Sequence, residues 1–247
     1  MLAAPAWAGE AACRYEGGTL VAPAVVAGIA GDYIIDTGAA RTTLDETRAQ
    51  AAGIESGVGL SGAVRLADMS IPATPLAIAP LDVRTWNLPT PVAGVIGADV
   101  LKAYVLEVSY APCRLRLWAP GQAPALSGQE LELGWDQGRP TAPAAVADAA
   151  HEIAGRFVIA TGANAPVRLA DDLAQAAAAK PAELYPDGVW LARLAQVRFA
   201  GSVGQDVAAG LMKPDGEVVG VLGGDVLAHF RLRFDFPAGR LTVVPIR

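Results

Sequence analysis

One short segment occurs twice in this chain, and its spacing limits the fold more than any other feature. Tyr33-Ile34-Ile35-Asp36-Thr37-Gly38-Ala39 and Phe157-Val158-Ile159-Ala160-Thr161-Gly162-Ala163 each run an apolar stretch into a Thr-Gly turn, 124 residues apart. Two further landmarks repeat at nearly the same offset. Ala22-Pro23-Ala24 returns at Ala142-Pro143-Ala144 after 120 residues, and Gly94-Val95-Ile96-Gly97 returns as Gly220-Val221-Leu222-Gly223 after 126. Offsets that drift by so little across a 247-residue chain describe a tandem duplication. The chain therefore folds as two similar units, each about the size of a small domain.

Both units read in the same order. A β-rich opening (19–35 and 139–159) leads into the Thr-Gly turn, with short apolar runs broken by Gly and charge. A helical segment is expected at 45–52, closed by Gly53, and another at 171–180, closed by Pro181. Hairpins follow around Val64-Arg65-Leu66 and around Val189-Trp190-Leu191. After the Gly-apolar-apolar-Gly segment, each unit closes on a hairpin: 105–109 with 114–118, and 231–236 with 240–244. This divides the chain into an Ala-rich terminus (1–12) that is disordered or the remnant of an export signal, a first lobe (13–118), a Pro/Gly/Ala linker (119–129) and a second lobe (130–247).

Composition narrows the partners. With 53% hydrophobic residues the chain has ample material for a core, and a net charge of -6 without Lys/Arg runs speaks against nucleic acid. No apolar stretch reaches the roughly 18 to 20 residues of a membrane span. Cys13 and Cys113 lack metal-site spacing, and His151 and His229 have no clustered partners, so neither a metal nor another cofactor is expected. The two cysteines could form a disulfide in an exported protein. Asp99 and Asp225 follow the Gly-rich segments and read as caps of short helices rather than catalytic acids. Trp86 and Trp118 read as packing residues.

An isolated Asp-Thr-Gly says little. Here a buried-strand pattern precedes it, a Gly-apolar-apolar-Gly segment follows after 61 residues (63 in the second copy), and the arrangement occurs twice. On these residues the chain resembles the aspartic proteases of the retropepsin and pepsin type, most closely the bacterial single-chain, retropepsin-like members, over nearly its whole length. The resemblance implies an all-β fold with short helices: two β-barrel lobes facing each other across a peptide-binding cleft. It implies a peptide or protein substrate, a monomer, and one catalytic Asp from each lobe. Thr37 and Thr161 would bond across the interface, and Gly38 and Gly162 would allow close backbone approach. Hairpin flaps would place Val64, Arg65 and Trp190 near substrate.

The family chemistry needs two carboxylates about 3 Å apart that share one proton: one activates water, the other protonates the scissile carbonyl. Asp36 is one; Ala160 stands where the second belongs. A chain with one acid is expected to be an inactive endopeptidase, because coupled catalytic residues lose nearly everything together. Either an active protease has been altered by an Asp-to-Ala change, which the intact surroundings of Ala160 favour, or the chain is a natural pseudoprotease that binds peptides without cleaving them.

Overall fold

The computed structural model of the chain describes residues 8–55, 59–147, 152–170, 180–184, 190–213 and 215–246. The first unit opens with strands β1 (Ala8–Ala12), β2 (Arg14–Glu16), β3 (Thr19–Val26), β4 (Ile29–Ile35) and β5 (Thr43–Asp45), then helix α1 (Glu46–Ala51). It continues through β6 (Ser61–Leu66), β7 (Met69–Pro75), β8 (Ala77–Ala79), α2 (Asp82–Thr85), β9 (Gly94–Ile96), α3 (Ala98–Leu101), β10 (Val105–Tyr110) and β11 (Cys113–Trp118). The second unit runs β12 (Gln129–Glu132), β13 (Gly134–Asp136), β14 (Arg139–Ala147), β15 (Glu152–Ile159), β16 (Val167–Ala170) and β17 (Lys180–Leu184). Its remaining elements are β18 (Trp190–Phe199), β19 (Ser202–Met212), β20 (Gly220–Leu222), α4 (Gly224–Leu227), β21 (Phe230–Asp235) and β22 (Arg240–Pro245). The protein is predominantly β, in two lobes.

Each lobe threads its Thr-Gly turn in the same way. In the first, β9 lies parallel to β4 (Tyr33↔Gly94, Ile35↔Ile96) and antiparallel to β5. In the second, β20 lies parallel to β15 (Phe157↔Gly220, Ile159↔Leu222) and antiparallel to β16. The inserted strand needs its glycines because the flanking chain crosses directly over it. A Cβ on Gly94 would lie 2.3 Å from the Thr43 carbonyl oxygen, and one on Gly220 would lie 2.2 Å from that of Arg168. Both distances are impossible contacts, which is why Gly-apolar-apolar-Gly recurs.

A third sheet belongs to both lobes, in the order β1-β11-β10-β21-β22-β12. The closing hairpins meet through β10 and β21, antiparallel, with Val105 opposite Asp235 and Val108 opposite Leu232. Alternation explains its two faces. Leu106, Val108, Leu115, Leu117, Leu232, Phe234, Leu241 and Val243 are fully buried and join the core common to both lobes. On the other face, buried Glu107 accepts hydrogen bonds from Arg116 (3.2 Å), Arg231 (2.9 Å) and Arg233 (2.9 Å). Arg233 also donates to the Pro124 carbonyl, fastening the segment between the lobes, and lies 5.1 Å from the Trp118 ring centroid.

Several expectations change. Ala8–Ala12 is no disordered tail: it pairs with β11 as an edge of the shared sheet. The segment expected to link the lobes gives up its last residue, Gln129, to β12. Helix α1 matches the expected segment, with Asp45 capping the Arg48 N–H (3.1 Å). The segment 171–180, expected to be helical, lies outside the described residues except for its last residue, Lys180, which begins β17. Cys13 and Cys113 form a disulfide with Cα atoms 5.0 Å apart, joining the start of lobe one to its closing hairpin. No helix among the described residues is long and apolar enough to cross a membrane.

Candidate active site

The two Thr-Gly turns meet at the lobe interface and lock each other. The Thr37 N–H donates to Thr161 Oγ1 (3.1 Å), and the Thr161 N–H donates to Thr37 Oγ1 (3.3 Å). Each hydroxyl then donates one strand further back, Thr161 to the Ile35 carbonyl (2.7 Å) and Thr37 to that of Ile159. Both threonines are fully buried. A side chain with donor and acceptor on one short stem is required here, which explains the Thr of each turn. The backbone equivalence is close: Asp36 N–H donates to Ile96 O (3.0 Å) and Ala160 N–H to Leu222 O (2.9 Å).

The residues after each Thr bring the facing positions together. A Cβ on Gly38 would lie 2.4 Å from the Ala160 Cβ, and one on Gly162 would lie 2.5 Å from the Asp36 Cβ. Asp36 and Ala160 are therefore opposed across the interface, each against the other lobe's glycine. Asp36 is 3% exposed. Its Oδ1 accepts both turn N–H groups, from Gly38 (2.8 Å) and from Gly162 (3.2 Å). The second lobe's donor is thus satisfied by the first lobe's acid, and no polar group of the turn is orphaned by alanine at 160.

The remaining oxygen of Asp36, Oδ2, takes a charge-assisted bond from Arg84 Nη2, which also donates to the Gly162 carbonyl (3.3 Å). Arg84 sits on the four-residue α2, whose ends are held by Trp86 N–H to Asp82 O (3.0 Å) and Thr85 Oγ1 to Leu81 O (3.0 Å). Asn87 ties the same segment to the β2–β3 turn through Gly17 O (3.0 Å). Val83 and Trp86, on either side of Arg84, are 84% and 78% exposed. Trp86 is not the packing residue expected from sequence; Trp118 is.

A second guanidinium, Arg168, stands opposite Val221, which packs against the cluster that contains Ala160. Arg168 on β16 is held below the usual arginine range, chiefly by burial and then by repulsion from Arg84, with Asp36 acting in the opposite sense. The residue is nonetheless exposed over part of its surface. Its Nη2 donates to Asn164 Oδ1 (3.1 Å). Tyr110, whose ring centroid lies 5.2 Å from that of Tyr15, is buried and its hydroxyl has no partner among the described residues. Burial, reinforced by the Asp36 charge, pushes that phenol far up.

The expected flap of lobe one is overturned. Val64 is completely buried, so it has no surface to offer a ligand. The β6–β7 hairpin turns its tip onto the shared sheet, where a Cβ on Gly9 would lie 1.5 Å from the Ala67 carbonyl oxygen. Arg65 accordingly lines a groove with Glu10, Asp32 and Met69, whose walls do not include the Asp36 turn. The β18–β19 tip is placed equivalently, with Gly201 beside Gln129 of β12. Trp190 enters β18 opposite Leu184, and its side chain lies outside the described residues.

Asp99 and Asp225 are structural, but not as caps. Asp99 Oδ2 accepts the Thr42 N–H (2.9 Å) and Oδ1 the Thr42 hydroxyl (2.7 Å), and Asp225 takes the Tyr15 hydroxyl across the lobes. Among the described residues no group of three or more His, Cys, Asp or Glu side chains converges as metal ligands would.

Two duplicated lobes, a shared six-stranded sheet and a pair of interlocked Thr-Gly turns define the fold of the two-lobed aspartic proteinases. Among solved structures, the aspartic proteinase from Irpex lacteus superposes with a TM-score of 0.57 over 97% of each chain, at 12% sequence identity. No protein-family model matches the sequence. No curated protein is significantly similar to it.

Proposed function

We propose that the chain is a catalytically silent aspartic-protease scaffold that holds peptide in the cleft between its lobes. The Arg84–Asp36 ion pair beside Ala160 carries this reading. A working dyad keeps a proton because two adjacent carboxylates cannot both ionise. Here a single carboxylate meets a guanidinium and two N–H groups, and alanine stands where the second carboxylate of a dyad would act. Asp36 supplies cohesion between the turns, and the Thr37–Thr161 bonds fix how the two turns face each other.

A second reading has specific support: the intact Thr161-Gly162-Ala163 surroundings fit an active endopeptidase altered at position 160. Peptide hydrolysis by Ala160→Asp, tested on a mixed peptide library between about pH 3 and 7 with a statine-type inhibitor as control, separates the two. The silent scaffold predicts no turnover in Ala160→Asp while Arg84 is present, and measurable peptide binding by the parent chain. Inhibitor-sensitive cleavage by Ala160→Asp alone sinks it in favour of the altered protease.

As part of the same proposal we place the chain with the bacterial single-chain, retropepsin-like branch, on its paired Gly-apolar-apolar-Gly segments and closing hairpins. Export to an oxidising compartment is supported by the Cys13–Cys113 disulfide. A monomeric state is supported by the second lobe's occupation of the surface that a homodimeric relative would offer to its partner.

A further inference from the structure

We propose that Arg84 and Arg168 make the floor of this cleft a carboxylate-binding site, which takes the C-terminal or acidic side-chain carboxylate of a peptide. The inference builds on the peptide-binding reading above and names the ligand chemistry of that site.

Charge is the first ground. A dyad sharing one proton presents one negative charge to its ligand; here one carboxylate faces two guanidiniums, so the sign is inverted. This happens in a chain whose net charge is -6, so the local excess of cation runs against the composition. Alanine at 160 completes the change, because a second acid at that place would repel an incoming anion.

Unused donors are the second ground. Arg84 spends Nη2 on Asp36 Oδ2 and the Gly162 carbonyl. Among the described residues Arg168 makes one hydrogen bond, from Nη2 to a neutral amide oxygen. A guanidinium carries five N–H groups in a planar fork suited to a carboxylate, and most of the Arg168 fork is unengaged among the described residues. Repulsion from Arg84 outweighs the opposing pull of Asp36 on this exposed guanidinium, so an anionic ligand would relieve it.

The third ground is the duplication. Thr43 and Arg168 hold the same register in their lobes, opposite Val95 and Val221 respectively. Arg168 is thus a charge that only one copy carries, beside the one turn that lost its acid. Val83 and Trp86, exposed next to Arg84, add apolar surface for the residues that precede the carboxylate.

The test uses the full chain and one apolar peptide in three fluorescent forms: free C-terminal acid, C-terminal amide, and amide with one internal Glu. Anisotropy titrations are run on the parent chain, Arg168→Gln and Arg168→Lys. We expect at least one acid-bearing form to bind about tenfold more tightly than the neutral amide, as a charge-assisted pair allows. That advantage should vanish in Arg168→Gln, survive in part in Arg168→Lys, and shrink with added salt. Which acid-bearing form wins distinguishes terminal from side-chain recognition. Equal binding of all three forms, unchanged in Arg168→Gln, overturns carboxylate recognition and leaves peptide binding standing. If no peptide binds, titration with acetate, followed through the arginine Nε–H resonances, decides independently. Movement of the Arg168 signal then upholds the carboxylate site against the peptide reading, and its absence overturns both.

Discussion

Replacing Thr161 with valine keeps the shape of a fully buried side chain and deletes its oxygen. In the parent chain that oxygen donates to the Ile35 carbonyl (2.7 Å) and accepts the Thr37 N–H (3.1 Å). Ile35 and Thr37 are both 0% exposed, so water cannot replace the lost partner without opening the interface. Two orphaned backbone groups at about 1–3 kcal/mol each, less the small gain from a buried methyl, give an expected loss of about 2–4 kcal/mol. Thr37→Val orphans the other two groups, Ile159 O and Thr161 N–H, and should cost about as much by the same count. The double variant should fall short of the sum by about 1 kcal/mol or more, because turns already separated by the first change have less to lose from the second. Urea unfolding followed by far-UV and tryptophan signals measures this through the midpoint at constant m. Thr90→Val, on the exposed surface, serves as the control and should stay within about 0.5 kcal/mol. A Thr161→Val midpoint no different from the control, at unchanged m, refutes the interlocked-turn account of the lobe interface.

Other outcomes follow from the buried charges and phenols. Glu107→Gln should cost about 3–5 kcal/mol in urea unfolding, because it leaves the Arg233 side chain, only 8% exposed, without its countercharge; an unmoved midpoint would count against the cluster. Tyr110→Phe removes a buried hydroxyl that has no partner among the described residues, so the change should be neutral or stabilising by up to about 1 kcal/mol. A loss above about 2 kcal/mol would reveal a partner instead. Tyr33 is fully buried, donates to the Ile29 carbonyl (2.8 Å), and its phenol is pushed up to about 12, chiefly by burial. The folded state therefore holds this proton after the unfolded chain, near 10, has lost it. The contribution is complete below pH 10 and disappears as pH rises toward 12, at up to about 1.4 kcal/mol per pH unit. Tyr33→Phe should flatten the stability profile in that window, and an unaltered slope would rule out Tyr33 as a source.

Much of the architecture was legible because duplication writes the same physical problem twice. The pairs Gly94/Gly220 and Gly97/Gly223 recur since neighbouring backbone, of a strand over the first pair and of the segment after the Thr-Gly turn over the second, approaches at distances no side chain survives. Thr37 and Thr161 recur since each must donate and accept at once. The flap reading failed for the converse reason. Alternation in Val64-Arg65-Leu66 marks a hairpin, yet whether its tip meets a ligand or the edge of another sheet depends on where β1 lies, more than 50 residues away in sequence. Arg84 left no local sign at all. It sits in a four-residue helix within a Pro-rich stretch, and its partner lies 48 residues back. Arg168 had a faint one, being the charged member of a register pair whose other member is Thr43.

The sequence by itself determined that two like lobes oppose their Thr-Gly turns and that only one of them brings an acid. Spacing and residue type suffice for that, because a turn between buried strands tolerates few alternatives. Tertiary structure decided what the surviving acid does. Asp36 binds the N–H groups of both turns and an arginine from a distant helix, and a second arginine stands nearby. Electrostatics depend on distances through space, and chain order does not carry them. The same Asp-Thr-Gly reads as half of a hydrolytic pair in sequence and as the partner of an arginine and of both turns' N–H groups in three dimensions.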